Sequence, residues 1–495
     1  KGFLKANRLL GKPGRVFVLT GDGELQEGQF WESLVSAANH RLGGLTVIID
    51  HNKIQSDTWV RRVSDLGDLE SKLRSFGWHV VRCDGNDISA FPRLFESLRA
   101  VEDKPKIVIA DTIKGKGVKV MEAFGPEEKL YQFHSGAPDP AVYEQALVEL
   151  TNQANTRLVA AGASALALVR APRNPAATPA RPQRLINAYA EALVAEGEKN
   201  SRVVALDADL IKDCGVIPFS ERFPDRFVEC GIAEQDMVSQ AGAMALRGLV
   251  PVVHSFSCFL STRPNEQIYN NATERTKVVY VGSLTGLLPA APGHSHQCVR
   301  DISSLGGVPG LVMVEPGSAA QVAQVLDFCL NRTSNSSYIR LVTYPYDAPA
   351  EYSLPSKLEL GIGHTISAGK DAVAFSYGPV MLGELYKSAE ILRRSQGIDL
   401  EVVNLPWLNL VDAAWLKQVV SGKRRVFTLD NHYIHGGQGD VVARAIAELG
   451  LSGLRVRRFG LTEIPRCGQP DEVLRAHALD GESLAMAIAK EMAEH

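Results

Sequence analysis

The chain has 495 residues, of which 45% are hydrophobic and 22% charged, and its formal net charge is −3. This composition is ordinary for a globular protein, and the length suggests about three domains. The balanced charge gives no electrostatic footprint for nucleic acid, and the apolar runs are far shorter than the ~20 residues that a membrane-spanning helix needs. We therefore expect neither a nucleic-acid partner nor a membrane association.

The seven cysteines are scattered along the chain, and no two of them have the CxxC spacing. This pattern argues against a disulfide scaffold and against a structural zinc site. The first residues also lack the apolar core of a signal peptide. The sequence therefore predicts a cytoplasmic protein with reduced thiols.

Short apolar runs alternate with helical patterns along the chain, which indicates βαβ units and parallel sheets. We predict an α/β protein of three consecutive domains, each a mostly parallel sheet flanked by helices. The predicted strands are residues 16–20, 45–50, 107–112, 372–376, 400–404 and 426–430.

Two stretches marked by proline separate the predicted domains, because proline-rich segments form stiff, extended connectors. The first connector is the more strongly marked of the two. The prediction places a first domain at 1–169, a linker at 170–184, a second domain at 185–343, a linker at 344–360 and a third domain at 361–495.

The turn Gly-Asp-Gly at 21–23 directly follows a predicted strand, and Asn52 follows the next one. Glycines in this position let backbone N–H groups approach an anion at a helix start. Asp22 and Asn52 supply hard oxygen atoms at the carboxyl ends of strands, where parallel sheets bind ligands. Because Mg²⁺ combines such oxygens with phosphate oxygens, the pattern predicts a magnesium diphosphate site. Two ordinary turns are the alternative for either motif alone.

The segment GDGELQEGQFWES, with Asn-Lys-Ile about thirty residues later, resembles the thiamine-diphosphate motif of the transketolase family. It is most similar to the bacterial transketolases made of two polypeptides, here fused in one chain. Family members carry a longer segment before this motif. We therefore expect the N-terminal part of the first, diphosphate-binding domain either to lie outside this sequence or to come from another chain.

The resemblance implies metal-binding, catalytic and cofactor-binding roles for several residues of the first domain. Asp22, Asn52 and the carbonyl group of Ile54 would hold Mg²⁺, or another divalent cation such as Ca²⁺ or Mn²⁺. His134, in the segment FHSGAP, would face the cofactor and act in catalysis. The implied neighbours of the cofactor are Gly21 and Gly23 beside the diphosphate and Glu27 as a carboxylate relay between the two sites of a dimer.

The segment GIAEQ, followed by a helical pattern, resembles the pyrimidine-binding domain of the same family. Thiamine catalysis needs a carboxyl group at a ring nitrogen of the aminopyrimidine, and partial burial lets that group hold a proton near neutral pH. The resemblance assigns this role to Glu234, which would otherwise be a solvated residue near a helix start. It also implies that Phe256 and Phe259 line the pyrimidine pocket, although core packing is the commoner role of phenylalanine.

On the substrate side, the resemblance implies that His296, in a His-Gln pair, contacts the substrate near the reacting carbon. Arg263 and Arg340 are candidate contacts for an anionic group of the substrate. Many relatives bind the sugar phosphate with a second arginine three residues beyond the position of Arg340, where this chain has Thr343. The third domain resembles the transketolase C-terminal domain, which supports the dimer.

The resemblance implies an enzyme of carbohydrate metabolism that depends on thiamine diphosphate and Mg²⁺. Its reaction would transfer a two-carbon ketol unit from a ketose or ketose phosphate to an aldose, in a homodimer with shared active sites. Glu234 would activate the cofactor, while His134 and His296 would move protons. Two alternatives remain open: a deoxyxylulose-phosphate-synthase-like or specialised biosynthetic carboligase that uses pyruvate, and a non-catalytic binding protein derived from a transketolase.

Overall fold

The computed structural model describes residues 1–122, 130–170, 182–347, 354–355 and 357–494. These residues form two compact units. The described residues up to 170, together with Cys230–Ala233, belong to the first unit, and the other described residues belong to the second.

The first unit contains a four-stranded parallel sheet in the order β1-β2-β4-β3. Its strands are β1 Val16–Gly21, β2 Leu45–His51, β3 His79–Asp84 and β4 Lys106–Asp111. Its helices are α1 Gly2–Leu9, α2 Gly28–Asn39, α3 Val60–Val63, α4 Leu69–Ser75, α5 Ala90–Arg99, α6 Lys119–Glu122 and α7 Pro140–Ala160. The three predicted strands of this unit are confirmed. Strand β3 was not predicted because its sequence, HVVRCD, is short and half polar.

Strand β1 lies at one edge of this sheet although it begins with four consecutive apolar residues. Phe17, Val18 and Leu19 are 50%, 40% and 72% exposed. Runs of this kind are typical of strands covered on both faces, and an exposed strand edge can pair with another strand. The first unit therefore presents an apolar strand edge beside the Gly-Asp-Gly turn.

The second unit begins with a six-stranded parallel sheet in the order β10-β11-β9-β8-β6-β7. Its strands are β6 Val203–Asp207, β7 Phe227–Glu229, β8 Val250–Phe256, β9 Val279–Ser283, β10 Val312–Val314 and β11 Ser337–Leu341. Its helices are α8 Leu185–Lys199, α9 Ile217–Arg222, α10 Glu234–Leu246, α11 Ser257–Leu260, α12 Asn265–Thr273, α13 Asp301–Leu305 and α14 Ala319–Asp327.

A five-stranded sheet follows in the order β13-β15-β14-β16-β17, parallel except for β13. Its strands are β13 His364–Ser367, β14 Ala372–Ser376, β15 Leu400–Asn404, β16 Arg425–Tyr433 and β17 Arg455–Leu461. Its helices are α15 Pro379–Gln396, α16 Ala413–Val419, α17 Gln438–Glu448, α18 Pro470–Ala476 and α19 Gly481–Ala493. Strands β14 and β15 confirm the predicted ranges, and β16 extends beyond its predicted range at both ends.

The two predicted linkers contribute the short antiparallel pair β5 Pro182–Gln183 and β12 Tyr346–Asp347. The side chain of Gln183 also accepts a hydrogen bond from the backbone N–H of Ala319, which opens α14. These parts of the predicted linkers are therefore tied to the second unit. Linker residues 171–181, 348–353 and 356 lie outside the described residues.

The two sheets of the second unit share one hydrophobic core. Trp407 is fully buried, and its ring lies 4.9 Å from that of Phe328, centroid to centroid. A β-bridge joins Trp407 to Val314 of β10. Across the described part of the chain, no helix combines the length and the hydropathy needed to cross a membrane.

Candidate active site

The predicted site residues form two groups, one in each unit. In the first unit, Asp22 follows β1 and its N–H donates to the carbonyl oxygen of Asp50 on β2 at 3.2 Å. The Asp22 side chain is 1% exposed, and its carboxylate accepts hydrogen bonds from the backbone N–H of Gly23 (2.9 Å) and of Lys53. The structure thus places Asp22 directly against the 52–54 loop, as the sequence pattern predicts.

The 52–54 loop is held in a conformation that an ordinary residue seldom adopts. Lys53 has a φ of 71°, in the left-handed region, which disfavours residues with a Cβ atom. Its backbone N–H is fixed by Asp22, and its Nζ lies 3.1 Å from the Asp111 carboxylate. The side-chain oxygen of Asn52 accepts the N–H of Ile54 at 3.0 Å. Backbone strain maintained by its surroundings is common at functional sites.

The oxygen atoms of Asp22, Asn52 and Ile54 have the chemistry that a hard divalent cation requires. Burial raises the pKa of Asp22, a cost that a bound cation would offset. The Ile54 carbonyl oxygen also lies 3.3 Å from Nζ of Lys114, so a cationic group already lies beside it. No cluster of three or more His, Cys, Asp or Glu side chains within the described residues could hold a metal. Beside the Asp22 carboxylate, a metal here would therefore depend on amide and backbone carbonyl oxygens, on water or on oxygens of its ligand.

The two glycines of the turn differ in their surroundings. A Cβ atom on Gly23 would lie 2.8 Å from Cβ of Gln55, so this position requires glycine. At Gly21 a Cβ atom would meet nothing within 4 Å, which leaves open space beside the turn. Glu24, which the sequence analysis did not single out, accepts the Gly21 N–H (3.3 Å) and the Thr20 hydroxyl (2.6 Å). That the two glycines border a diphosphate stays a prediction.

Glu27 is half-buried and is the N-cap residue of α2. Its backbone N–H donates to the carbonyl oxygen of Glu24 at 3.1 Å. This position fixes where α2 begins. A relay role for the Glu27 carboxylate stays a prediction.

His134 lies beside Lys114, with Nζ of the lysine 2.9 Å from Nδ1 of the imidazole. Because an ammonium group only donates, Nδ1 accepts and the ring proton is on Nε2. Desolvation and the positive charge of Lys114 both lower the pKa of His134, which favours the neutral ring. His134 thus offers an N–H donor. Lys114, three residues after β4, is a further candidate site residue that was not predicted from the sequence.

In the second unit, helix α10 begins at Glu234. Glu234 is only 2% exposed, so the alternative interpretation, a solvated residue near a helix start, is wrong. Burial raises the pKa of Glu234, and the guanidinium of Arg263, 2.6 Å from Oε1, opposes this rise. A buried carboxyl group with a raised pKa is what the proposed exchange of a proton with a ring nitrogen needs.

Phe256, Phe259 and His296 form one aromatic cluster next to this ion pair. The centroid of the His296 ring lies 5.9 Å from that of Phe256 and 5.4 Å from that of Phe259. The Arg263 guanidinium lies over the Phe259 ring, 4.0 Å from its centroid. Desolvation and the charge of Arg263 lower the pKa of His296. The structure thus brings Glu234, distant in sequence, into a continuous cluster with the aromatic residues.

Arg340 does not join this cluster. Its side chain is fully buried, and it forms ion pairs with Asp301 (2.7 Å) and Glu315 (2.5 Å). A guanidinium so enclosed presents no charge to a substrate at the surface. The expectation that Arg340 contacts the substrate is therefore not supported, because its donors are committed to acceptors inside the protein. Arg263 remains a candidate contact, although in this structure its charge is directed to Glu234.

Removing the charge of Arg263 tests the electrostatics of this ion pair. In Arg263→Gln, the pKa of Glu234 should rise further, because the cation that favours the ionised carboxylate is lost. If Glu234 works in its protonated form, the alkaline limb of the pH profile for cofactor C2-proton exchange should move to higher pH. Arg247→Gln, which removes an exposed charge just after α10, is the matched control. An unmoved limb in Arg263→Gln would contradict the pairing.

Three family models match successive regions of the chain. The family model for the transketolase thiamine diphosphate binding domain matches residues 13–125. The models for the transketolase pyrimidine binding domain and the transketolase C-terminal domain match 182–344 and 361–484. The matched regions are thus those of a protein with thiamine-diphosphate-binding domains. The chain belongs to the transketolase family.

Individual relatives agree with this assignment. Transketolase-like protein 2 of Mus musculus and the transketolase of Homo sapiens are each 28% identical, over 96% of this chain and 75% of the relative. A solved structure described as a split gene transketolase, inactive beta4 tetramer, is 27% identical with a TM-score of 0.55, covering 62% of this chain and 97% of its own. The transketolase of Campylobacter jejuni has a TM-score of 0.53 at 17% identity, over 98% of this chain and 79% of its own. The predicted family and α/β fold class are confirmed.

Proposed function

We propose that the protein is a thiamine-diphosphate- and Mg²⁺-dependent transketolase, which transfers a two-carbon ketol unit from a ketose to an aldose. The observation that carries this proposal is the burial of Glu234 beside Arg263, Phe259 and His296. Asp22 and the 52–54 loop supply the complementary oxygen set in the first unit. A chain that only bound a partner would have no need to keep both groups.

When bound, thiamine diphosphate supplies a nucleophilic carbon for the carbonyl group of the sugar donor. Glu234 holds a proton at a ring nitrogen of the aminopyrimidine, and its burial keeps that proton available near neutral pH. Phe256 and Phe259 would line the pocket for that ring and exclude water from it. His296, whose pKa is lowered, would accept and return a proton at a hydroxyl group of the sugar, whereas His134, with Nδ1 held by Lys114, would donate its Nε2–H to a sugar oxygen.

We further propose that the active form is a homodimer with two shared active sites. The diphosphate-binding residues of one subunit then complement the pyrimidine-binding residues of the other. A cofactor that binds only the assembled site stabilises the assembly by mass action. Removal of the cofactor should therefore weaken the dimer, so that it dissociates at a higher protein concentration than the holoenzyme does. Analytical ultracentrifugation measures this difference.

Cofactor removal tests the proposed function directly. Chelation and dialysis should abolish ketol transfer, and activity should return only when thiamine diphosphate and a divalent metal are added together, because Asp22 and Asn52 hold the diphosphate through the metal. Adding each component alone serves as the control. Full activity without either component would contradict the proposal, and cofactor binding without turnover on any sugar would favour the non-catalytic alternative.

The substrate preference follows from Thr343 and from the enclosure of Arg340. Neither side chain offers a free cationic fork for a phosphate group, so phosphorylated sugars should be preferred only weakly over free sugars. In Thr343→Arg, kcat/KM for the sugar phosphate should rise by about 10- to 100-fold, which corresponds to one charge-assisted contact. Thr343→Gln, of similar reach but without charge, is the control. A wild-type preference for the phosphate by several orders of magnitude would contradict this prediction.

A further inference from the structure

The second unit contains a cluster of three buried charges. Arg340 on β11, Asp301 at the start of α13 and Glu315 after β10 are all 0% exposed. Nε of Arg340 donates to Asp301 at 2.7 Å, and Nη1 donates to Glu315 at 2.5 Å. Two carboxyl groups thus share one guanidinium. Burial raises the pKa of Glu315 to about 7 even though Arg340 opposes the rise.

The remaining donors of Arg340 tie this cluster to the chain segment that carries His296. This segment, residues 284–300, connects β9 to α13. Nη2 of Arg340 donates to the carbonyl oxygens of Cys298 and Asn431, each at 3.2 Å. The Cys298 carbonyl oxygen also accepts the N–H of Gly286 at 2.9 Å. One guanidinium therefore fixes the 284–300 segment just beyond His296, at Cys298, and again where the segment ends, at Asp301.

The neighbouring contacts extend the same framework. The side-chain oxygen of Asn431 accepts the N–H of Leu287 at 2.9 Å, and the hydroxyl group of Tyr338 donates to Asp301 at 2.8 Å. Gln297, next to His296, donates its side-chain amide to the carbonyl oxygens of Leu287 and Arg466, each at 3.0 Å. Together these contacts tie the 284–300 segment to β11 and to β16.

Buried ion pairs seldom add much stability, since their desolvation offsets their attraction. In some proteins, such buried pairs instead specify one conformation among several. Here the alternative conformations are those of an irregular segment that has glycines at 286 and 293, both with positive φ. A planar guanidinium with several fixed donors suits this task, whereas the point charge of a lysine cannot reach the same acceptors in the same directions.

We propose that Arg340 is a positioning residue, which holds the 284–300 segment so that His296 stays against Phe256 and Phe259. The catalytic part of this inference rests on the proposed function, whereas its structural part does not. Arg340 therefore acts through Cys298 and Asp301, and it contacts neither substrate nor cofactor.

The variant Arg340→Lys keeps the positive charge but removes the planar guanidinium with its fixed donors. Hydrogen–deuterium exchange of peptides covering 284–300 should become at least about tenfold faster, because the segment opens locally. The matched control is Arg425→Lys, since Arg425 is also buried and donates to backbone carbonyl oxygens, of Glu491 and Glu494, far from this segment in sequence. In the control, exchange over 284–300 should equal that of the wild type.

A second readout separates positioning from a loss of overall stability. In Arg340→Lys holoenzyme, kcat for ketol transfer should fall on the order of 10²-fold, as misplaced catalytic groups typically cause. The rate of C2-proton exchange, which depends on Glu234, should stay within about twofold of the wild type. A merely structural role would lower both rates together, or neither.

Failure of the positioning role and failure of the proposed function give different experimental results. Unchanged exchange over 284–300, or faster exchange throughout both the Arg340 and Arg425 variants, would overturn the positioning role. Inactive wild-type protein would contradict the proposed function, yet the exchange data would still decide the role of Arg340. If Arg340→Lys does not fold, Asp301→Asn decides, because it weakens one contact and should selectively speed exchange over 284–300.

Discussion

Replacing Glu234 by Gln should slow C2-proton exchange of bound thiamine diphosphate by about 10²- to 10⁴-fold, the usual cost of a lost acid–base group. The substitution keeps the shape of the side chain and its acceptor oxygen, so Arg263 can still donate to it. What disappears is the proton that the carboxyl group, with its pKa raised by burial, exchanges with the aminopyrimidine. Cofactor affinity should therefore change far less than the exchange rate.

The control for this prediction is Asp236→Asn, which makes the same chemical change at an exposed position on α10. Its exchange rate should equal that of the wild type. Exchange is measured by NMR on samples quenched in acid after mixing with D₂O, and affinity by calorimetry. An unchanged exchange rate in Glu234→Gln would mean that another group activates the cofactor.

Replacing Asp22 by Asn should weaken the binding of thiamine diphosphate and metal by more than about 100-fold, since residues that merely support metal ligands already cost 10- to 100-fold. Two effects combine. The negative charge opposite the cation is lost, and the amide group can no longer accept from both Gly23 and Lys53, so the 52–54 loop loses a contact that holds its left-handed residue.

Thermal denaturation with and without ligand measures this loss. A ligand at 100 times its Kd stabilises the wild type by about 2.7 kcal/mol, and this gain should fall to about 0.4 kcal/mol or less in Asp22→Asn. Asp65→Asn is the control, because Asp65 is exposed and also accepts a backbone N–H in a turn, from Gly67. If the ligand stabilised Asp22→Asn as much as the wild type, Asp22 would not be a binding residue.

The sequence predicts the fold well where apolar runs are continuous. Strands β14 and β15 were placed to the residue because four of the five residues of β14 and three of the five of β15 are apolar, and parallel sheets bury both faces. Strand β16 was predicted too short, since Asn431 and His432 are buried polar residues that carry no apolar signal. Their burial depends on partners such as Leu287 and Ser303, which only the tertiary structure brings near.

The candidate site was predictable only where a motif marks it. Asp22, Asn52 and Glu234 stand in such motifs, whereas nothing local in the sequence shows that Arg263 pairs with Glu234, 29 residues earlier. The enclosure of Arg340 was also hidden, because arginine is seldom fully buried unless it is paired. Its partners Asp301 and Glu315 lie 39 and 25 residues away and are acidic residues without a recognisable pattern.

The central claim is that this protein moves a two-carbon ketol unit by means of thiamine diphosphate. The most direct test follows a ketose donor labelled with ¹³C at carbons 1 and 2, in the presence of an aldose acceptor, thiamine diphosphate and Mg²⁺. With the wild type, NMR should find the label at carbons 1 and 2 of a new ketose that is two carbons longer than the acceptor. With Glu234→Gln, this product should form at a strongly reduced rate. No transfer of label from any ketose, with CO₂ released from pyruvate instead, would contradict the account.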